Sequence, residues 1–96
     1  MSLQDISCAE AKTMIQQGAQ LVDVRSQSEF FQGALPDAIS LPLEAIDQQA
    51  TTIDKERPVI VYCVTGRRSG MAQARLREIG FTAVHNLGSF RSFFAC

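Results

Sequence analysis

The sequence has little of several features that point to particular classes of protein. No apolar run approaches the roughly 20 residues that a membrane-spanning helix needs. Nine basic and ten acidic side chains leave a net charge of −1, so we expect no membrane partner and no bulk attraction to nucleic acid. The first residues include an acid and lack the basic and apolar pattern of a signal peptide, which makes the cytoplasm the expected location.

Residues that bind metals or form disulfides are also scarce. The chain has one histidine, His85, and three cysteines, Cys8, Cys63 and Cys96, without a CxxC spacing. An odd number of scattered cysteines predicts neither a disulfide framework nor a zinc site. A single histidine cannot build a His-rich metal cluster. We interpret Cys8 as a small core residue, because it lies on the apolar stripe of the first predicted helix, and the alternative is a second functional thiol.

Helical and strand patterns alternate along a chain that is long enough for one domain, predicted over residues 1–96. Capping-box signatures at Ser7–Glu10 and Ser26–Glu29 open the first two helices. Further helices are predicted over 43–52 and 68–79, and strands over 21–24, 38–41, 59–62 and 83–87. This alternation indicates an α/β domain with a mostly parallel sheet.

Several polar and aromatic residues are interpreted as structural. Arg25 and Glu29 are close enough in sequence to form an ion pair that fixes the turn between the first strand and the second helix. His85 lies within the last strand and is read as a packed or edge side chain. Ser89 is predicted to cap a final short helix, whose three phenylalanines are assigned to the core: Phe90, Phe93 and Phe94.

The stretch from Val59 to Leu76 carries the strongest chemical signal. A buried, β-branched strand leads into Cys63, and a short loop then opens a helix. Free amides at the helix start, the helix dipole and a tight turn at Gly66 all favour an anion there, and Arg67 and Arg68 add positive charge. Such surroundings lower the pKa of a thiol. We therefore predict a reactive cysteine in a cradle for an anionic substrate, and the alternative is a buried structural thiol.

Segments along nearly the whole chain resemble single-domain rhodaneses. They are the opening Leu21-Val22-Asp23-Val24-Arg25 with Glu29-Phe30, Gly33, Leu35-Pro36, Ala38-Ile39 and Pro42, the loop Tyr62–Gly70, and the closing Leu76, Gly80-Phe81, Val84 and Asn86-Leu87-Gly88. The resemblance implies a three-layer α/β/α fold with a five-stranded parallel sheet. The sequence departs from the family at Ala34, Asp37, Ser89 and Phe93, where histidine, glycine, glycine and tryptophan are usual.

The resemblance also implies a transferase that moves sulfur in two steps. The Cys63 thiolate takes the outer sulfur of a small anionic donor such as thiosulfate and becomes a persulfide. Cyanide, a small thiol or a protein thiol then accepts the sulfur, and no metal or organic cofactor is required. Arg67 and Arg68 are both candidates for holding the donor, and Arg68 matches the family's usual arginine. The amides of the active-site loop are expected to stabilise the sulfur: Val64, Thr65, Gly66, Arg67, Arg68 and Ser69.

Other classes stay open beside this interpretation. Phosphatases and arsenate reductases of the related cell-cycle phosphatase group place an arginine after a cysteine and five residues. Ser69 stands at that position here, so the loop is one residue short. The remaining alternatives are a persulfide carrier that serves a protein partner and a regulatory module without turnover, although such modules often lack the cysteine that this chain keeps.

Overall fold

The strand that ends at Cys63 is the centre of the fold. In a computed structural model that describes residues 4–96, the strands are β1 (Gln20–Asp23), β2 (Ile39–Ser40), β3 (Val59–Cys63) and β4 (Val84–Ser89). They run parallel in the order β2-β1-β3-β4. Every residue of β3 is buried, because the strand has a neighbour on each side and helices on both faces. This placement explains its continuous apolar sequence.

The prediction of a five-stranded sheet is wrong for residues 4–96, which form four strands. The segment before the first helix reaches β4 through the backbone N–H of Asp5, which donates to the Asn86 carbonyl at 2.9 Å. The backbone N–H of Asn86 donates in turn to Oδ1 of the Asp5 carboxylate, at 2.9 Å. A side chain thus accepts the amide that a neighbouring strand would bond through its backbone, so the described residues before α1 form no regular strand.

The predicted helices are present, with small differences at their ends. They are α1 (Cys8–Gln16), α2 (Gln27–Gln32), α3 (Ile46–Gln49) and α4 (Arg67–Glu78). Both predicted capping boxes are confirmed, since Ser7 and Ser26 each accept the amide of a glutamate that bonds back to the serine N–H. The irregular helix predicted over 43–52 is α3 flanked by 3₁₀ turns, Leu43–Ala45 and Ala50–Thr52.

Alternate residues of β3 feed two separate hydrophobic clusters, one on each face of the sheet. Val59, Val61 and Cys63 face the cluster that includes buried residues of α3 and α4. Ile60 and Tyr62 face the other cluster, which α1 and the final 3₁₀ segment cover. This arrangement confirms the predicted three-layer α/β/α architecture, and it places Cys63 on the same side of the sheet as α4.

Cys8 is buried as predicted, but the prediction that the cysteines form no disulfide is wrong, because Cys8 is bonded to Cys96. The two cysteines are 88 positions apart, and no local pattern in the sequence connects them. The fold brings them together because the final 3₁₀ segment, Phe90–Phe94, packs on α1. Lys12 of α1 contributes to this contact, with Nζ 4.8 Å from the centroid of the Phe93 ring. Cys63 keeps a free thiol.

Candidate active site

Cys63 is the last residue of β3, and three residues separate it from the start of α4. Gly66 precedes the helix with a φ of +94°, in the left-handed region where a glycine is favoured. This bend directs the backbone amides of the loop toward the end of the strand. Gly66, which the sequence analysis placed in a tight turn, is therefore favoured by the backbone conformation of the loop.

The thiol of Cys63 lies among hydrogen-bond donors of this loop. The backbone N–H groups of Gly66 and Ser69 donate to Sγ at 3.0 and 3.4 Å. The hydroxyl oxygen of Ser69 lies 3.4 Å from the same sulfur. Cys63 and Ser69 are both buried, so the donors face the sulfur rather than bulk water. The loop forms a small cradle for negative charge on sulfur.

Two opposing effects determine the pKa of the Cys63 thiol. Burial raises it, because a thiolate loses hydration inside a protein. Hydrogen bonds from the Ser69 hydroxyl, the Ser69 amide and the amides of Gly66 and Thr65 outweigh burial, and the pKa lies below its ordinary value. The principal stabilising groups are thus neutral dipoles of the loop, whereas the sequence suggested that amides and arginines share this role.

Replacing Ser69 by alanine should raise the pKa of Cys63, because the hydroxyl makes the largest of the contributions that lower it. A lost hydrogen bond of about 1 kcal/mol corresponds to an alkylation rate about fivefold lower at neutral pH. The measurement is the rate of reaction with iodoacetamide as a function of pH. Replacement of Thr52, an exposed hydroxyl outside the loop, is the control. Overlapping pH profiles for wild type and Ser69→Ala would contradict the contact.

The two arginines of the loop have different surroundings. Arg68 forms a two-point ion pair with Glu29, at 2.7 and 3.0 Å between guanidinium nitrogens and carboxylate oxygens. The Arg68 guanidinium holds the pKa of Glu29 at about 2, so this carboxylate is ionised at neutral pH. Arg67 is exposed, and its backbone N–H donates to the Thr65 hydroxyl at 3.4 Å.

The predicted ion pair between Arg25 and Glu29 is wrong. Arg25 pairs instead with Asp23, at 2.7 Å between Nη2 and Oδ2, and donates to the Gly33 carbonyl at 2.7 Å. Asp23 is favoured because it already accepts the Arg25 backbone N–H, which holds the two side chains together. Glu29 is then left to pair with Arg68. The second helix is thereby tied to the active-site loop rather than to the turn before it.

A network of buried polar side chains lies under the site, and it was not predicted from the sequence. The Tyr62 hydroxyl donates to Asp23 at 2.8 Å and accepts the Leu35 N–H at 3.0 Å. Burial raises the pKa of Tyr62 to about 12, so the hydroxyl keeps its proton. From β4, the side-chain amide of Asn86 donates to the Gly66 carbonyl in the loop at 3.3 Å. The only local signal was a polar residue, Asp23, inside an apolar strand.

A pocket of about 430 Å³ opens beside the ion pair of Glu29 and Arg68. Two aromatic side chains of the final 3₁₀ segment, Phe90 and Phe94, form one part of its wall. Phe90 and Phe93 pack on the core as predicted, but the prediction is wrong for Phe94, which is 68% exposed. The other lining residues are Arg25, Glu29, Gln32, Gly33, Ala34 and Leu35.

The described part of the chain contains neither a metal-binding cluster nor a helix that could span a membrane. Within residues 4–96, no group of three or more histidine, cysteine, aspartate or glutamate side chains is placed to hold a metal ion. In the same range, the helices are too short or too polar for any of them to cross a membrane.

Comparison with known proteins identifies the family. A sequence model of the rhodanese-like domain matches residues 7–96. The chain belongs to the rhodanese-like domain family. A sulfurtransferase of Allochromatium vinosum is 43% identical over 67 residues, which are 70% of this chain and 63% of the relative. The thiosulfate sulfurtransferase PspE of Escherichia coli is 38% identical over 72 residues, which are 73% of this chain and 69% of that protein.

Solved structures agree with this placement in the rhodanese-like family. A structure described as a rhodanese with anions from E. coli has a TM-score of 0.72 and 36% sequence identity to this chain. The match covers 78% of this chain and 91% of that one. By contrast, the match to the Allochromatium relative spans slightly less than two thirds of that relative's length. The family predicted from the sequence motifs is confirmed.

Proposed function

We propose that the chain is a sulfurtransferase that carries sulfane sulfur on Cys63. The cradle of loop donors around Sγ is the observation that carries this proposal. In the first step, the Cys63 thiolate attacks the outer sulfur of thiosulfate and forms a new S–S bond. The old S–S bond breaks, and sulfite leaves with the bonding electrons. In the second step, cyanide or another acceptor attacks the outer sulfur, and Cys63 leaves as a thiolate.

The loop donors serve the same sulfur throughout this cycle. They stabilise the attacking thiolate, then the persulfide, and finally the thiolate that leaves. Donors that are fixed by the fold need no reorganisation when charge develops, which is the usual basis of electrostatic catalysis. The transfer from thiosulfate to cyanide moves no proton, which agrees with a site built from hydrogen-bond donors. It also needs no metal or organic cofactor.

The comparisons support this reaction, since two relatives are named as sulfurtransferases and a similar E. coli rhodanese is described with anions. We propose that the acceptor, a protein thiol or a small thiol, approaches through the pocket beside Glu29 and Phe94, because Glu29 in its wall is bound to Arg68 of the active-site loop. A persulfide carrier that passes sulfur to a protein partner is the second candidate, because the same cradle would hold its persulfide.

A phosphatase or arsenate reductase is less well supported by the geometry. Those enzymes need an arginine at the position of Ser69, and here that residue is a buried serine in contact with Sγ. The neighbouring Arg68 is bound to Glu29. The shorter loop and the occupied guanidinium both argue against a site for a tetrahedral oxyanion.

Treatment with thiosulfate should add one sulfur atom to the protein, about 32 Da by intact mass, because the first step leaves a persulfide on Cys63. Cyanide should remove this mass and release thiocyanate. Protein whose Cys63 has first been alkylated with iodoacetamide is the control, and it should gain nothing. A thiosulfate-treated protein of unchanged mass, or a gain that cyanide does not reverse, would contradict the covalent mechanism.

We further propose that residues 1–96 act as one domain in the cytoplasm. This location predicts that Cys8 and Cys96 are largely reduced in the cell, since disulfides are rare in cytosolic proteins. The pair would then close when the protein meets oxidising conditions. Cys63 lies outside this pair, so sulfur transfer is compatible with either state.

A further inference from the structure

The two arginines of the active-site loop differ in how much positive charge they offer to a ligand. Both Arg68 guanidinium contacts with Glu29 are within 3.0 Å, and the two side chains are about one third exposed. Opposite charges at this separation largely cancel at a distance. The ion pair therefore reduces the net field of Arg68 at the mouth of the site, although this arginine matches the family's usual one and interacts electrostatically with Cys63.

Glu29 is held in place from two sides. Its Oε1 accepts the backbone N–H of Ser26 at 3.1 Å and closes the capping box of α2. The same oxygen accepts from Arg68. Because the helix cap already fixes the carboxylate, Arg68 meets a preorganised partner with little loss of side-chain freedom. The ion pair is thus part of the frame that joins α2 to the loop.

Arg67 is placed differently. Its side chain forms no hydrogen bond or ion pair with the residues that the structure describes. It directly follows Gly66, whose amide donates to the Cys63 sulfur. The first turn of α4 contains no acidic residue, and a cation there opposes the helix dipole. A positive side chain at this position therefore does not serve the stability of the helix.

We infer that Arg67, rather than Arg68, draws the anionic sulfur donor to Cys63, and that Glu29 limits this attraction by neutralising Arg68. The inference rests on the proposed sulfurtransferase function for the identity of the donor. It assigns two specificity-determining residues, one that attracts anions and one that weakens the attraction. Removing either charge should change the preference of the site for anions, in opposite directions.

The test compares two alkylating agents of similar size, anionic iodoacetate and neutral iodoacetamide, in their rates of reaction with Cys63. The ratio of the rates reports attraction of anions and cancels changes in thiol reactivity. Arg67→Gln should lower the ratio, and Glu29→Gln should raise it, each by about fivefold at low salt. Glu29→Gln keeps the capping box, because glutamine also serves at that position.

Two variants serve as controls for charge. Lys55→Gln removes one positive charge, as Arg67→Gln does, but in the turn before β3, at the opposite end of the strand from Cys63. It should leave the ratio unchanged. The double variant Glu29→Gln/Arg68→Gln removes the ion pair without changing the net charge and should also keep the wild-type ratio. A loss in the double variant as large as in Arg67→Gln would assign the role to Arg68 and overturn the inference.

The outcome for Arg67 can be separated from the outcome for the proposed function. The alkylation ratio needs no turnover, whereas formation of thiocyanate from thiosulfate and cyanide tests the sulfurtransferase activity itself. If wild type forms thiocyanate, Arg67→Gln should raise the apparent KM for thiosulfate about fivefold with little change in kcat. An Arg67→Gln ratio equal to that of Lys55→Gln would overturn the inference even in a fully active enzyme, and this comparison stands if a Glu29 variant does not fold.

Discussion

Cys63→Ser is expected to reduce sulfur transfer to the uncatalysed background. The serine hydroxyl remains protonated at neutral pH, and its oxygen cannot replace sulfur as the carrier of a sulfane group. The substitution is close in size, and a serine Oγ can accept from the same amides of Gly66 and Ser69 that now bond Sγ. The fold should therefore be kept while the nucleophile is lost. The measurement is thiocyanate formation from thiosulfate and cyanide.

The other two cysteines provide a matched control for this experiment. Cys8→Ser and Cys96→Ser make the same chemical change away from the loop, and we expect both variants to keep most of the activity at temperatures where they are folded. Circular dichroism of each variant shows that the comparison is made between folded proteins. Thiocyanate production by Cys63→Ser at more than background would show that another group carries the sulfur, and the assigned nucleophile would be wrong.

The parts of the site that the sequence predicted are those that depend on local signals. The run from Val59 to Tyr62, followed by a cysteine, a glycine and a helical pattern, predicted a strand, a tight turn and a helix in the correct order. The turn needs Gly66 for its positive φ. In parallel sheets of this kind, ligands bind beyond the carboxyl ends of the strands. The location of the candidate site thus followed from one continuous stretch of the sequence, Val59 to Leu76.

The contacts that the sequence did not predict join residues far apart in the chain. Glu29 was expected to pair with Arg25, four positions away, but pairs with Arg68, which is 39 positions away. Both partners are within reach of a long side chain, and only the packing of α2 beside the loop decides between them. The absence of a fifth strand from residues 4–96 has a similar cause, because the Asp5 carboxylate competes with backbone pairing at Asn86. Such competition between side chains and backbone is decided by three-dimensional position.

The disulfide between Cys8 and Cys96 has the largest expected effect on stability. It closes a loop of nearly the whole chain, since its cysteines are 88 positions apart and lie in the first helix and at the last residue. A crosslink over such a loop restricts the unfolded chain strongly, and disulfides of this kind contribute about 2–4 kcal/mol. Typical domains unfold with only about 5–15 kcal/mol, so the loss would be a large fraction of the total.

We therefore expect Cys8→Ser/Cys96→Ser to lower the free energy of unfolding by about 3 kcal/mol and the Tm by about 12–20 °C, relative to oxidised wild type. Urea unfolding with and without a reductant measures this effect and contains its own control. The reductant should bring wild type close to the variant and leave the variant unchanged, because only wild type has a bond to reduce. Equal stability of wild type and variant under oxidising conditions would contradict the disulfide. The final segment would then be held on α1 by packing alone, including the contact of Lys12 with Phe93.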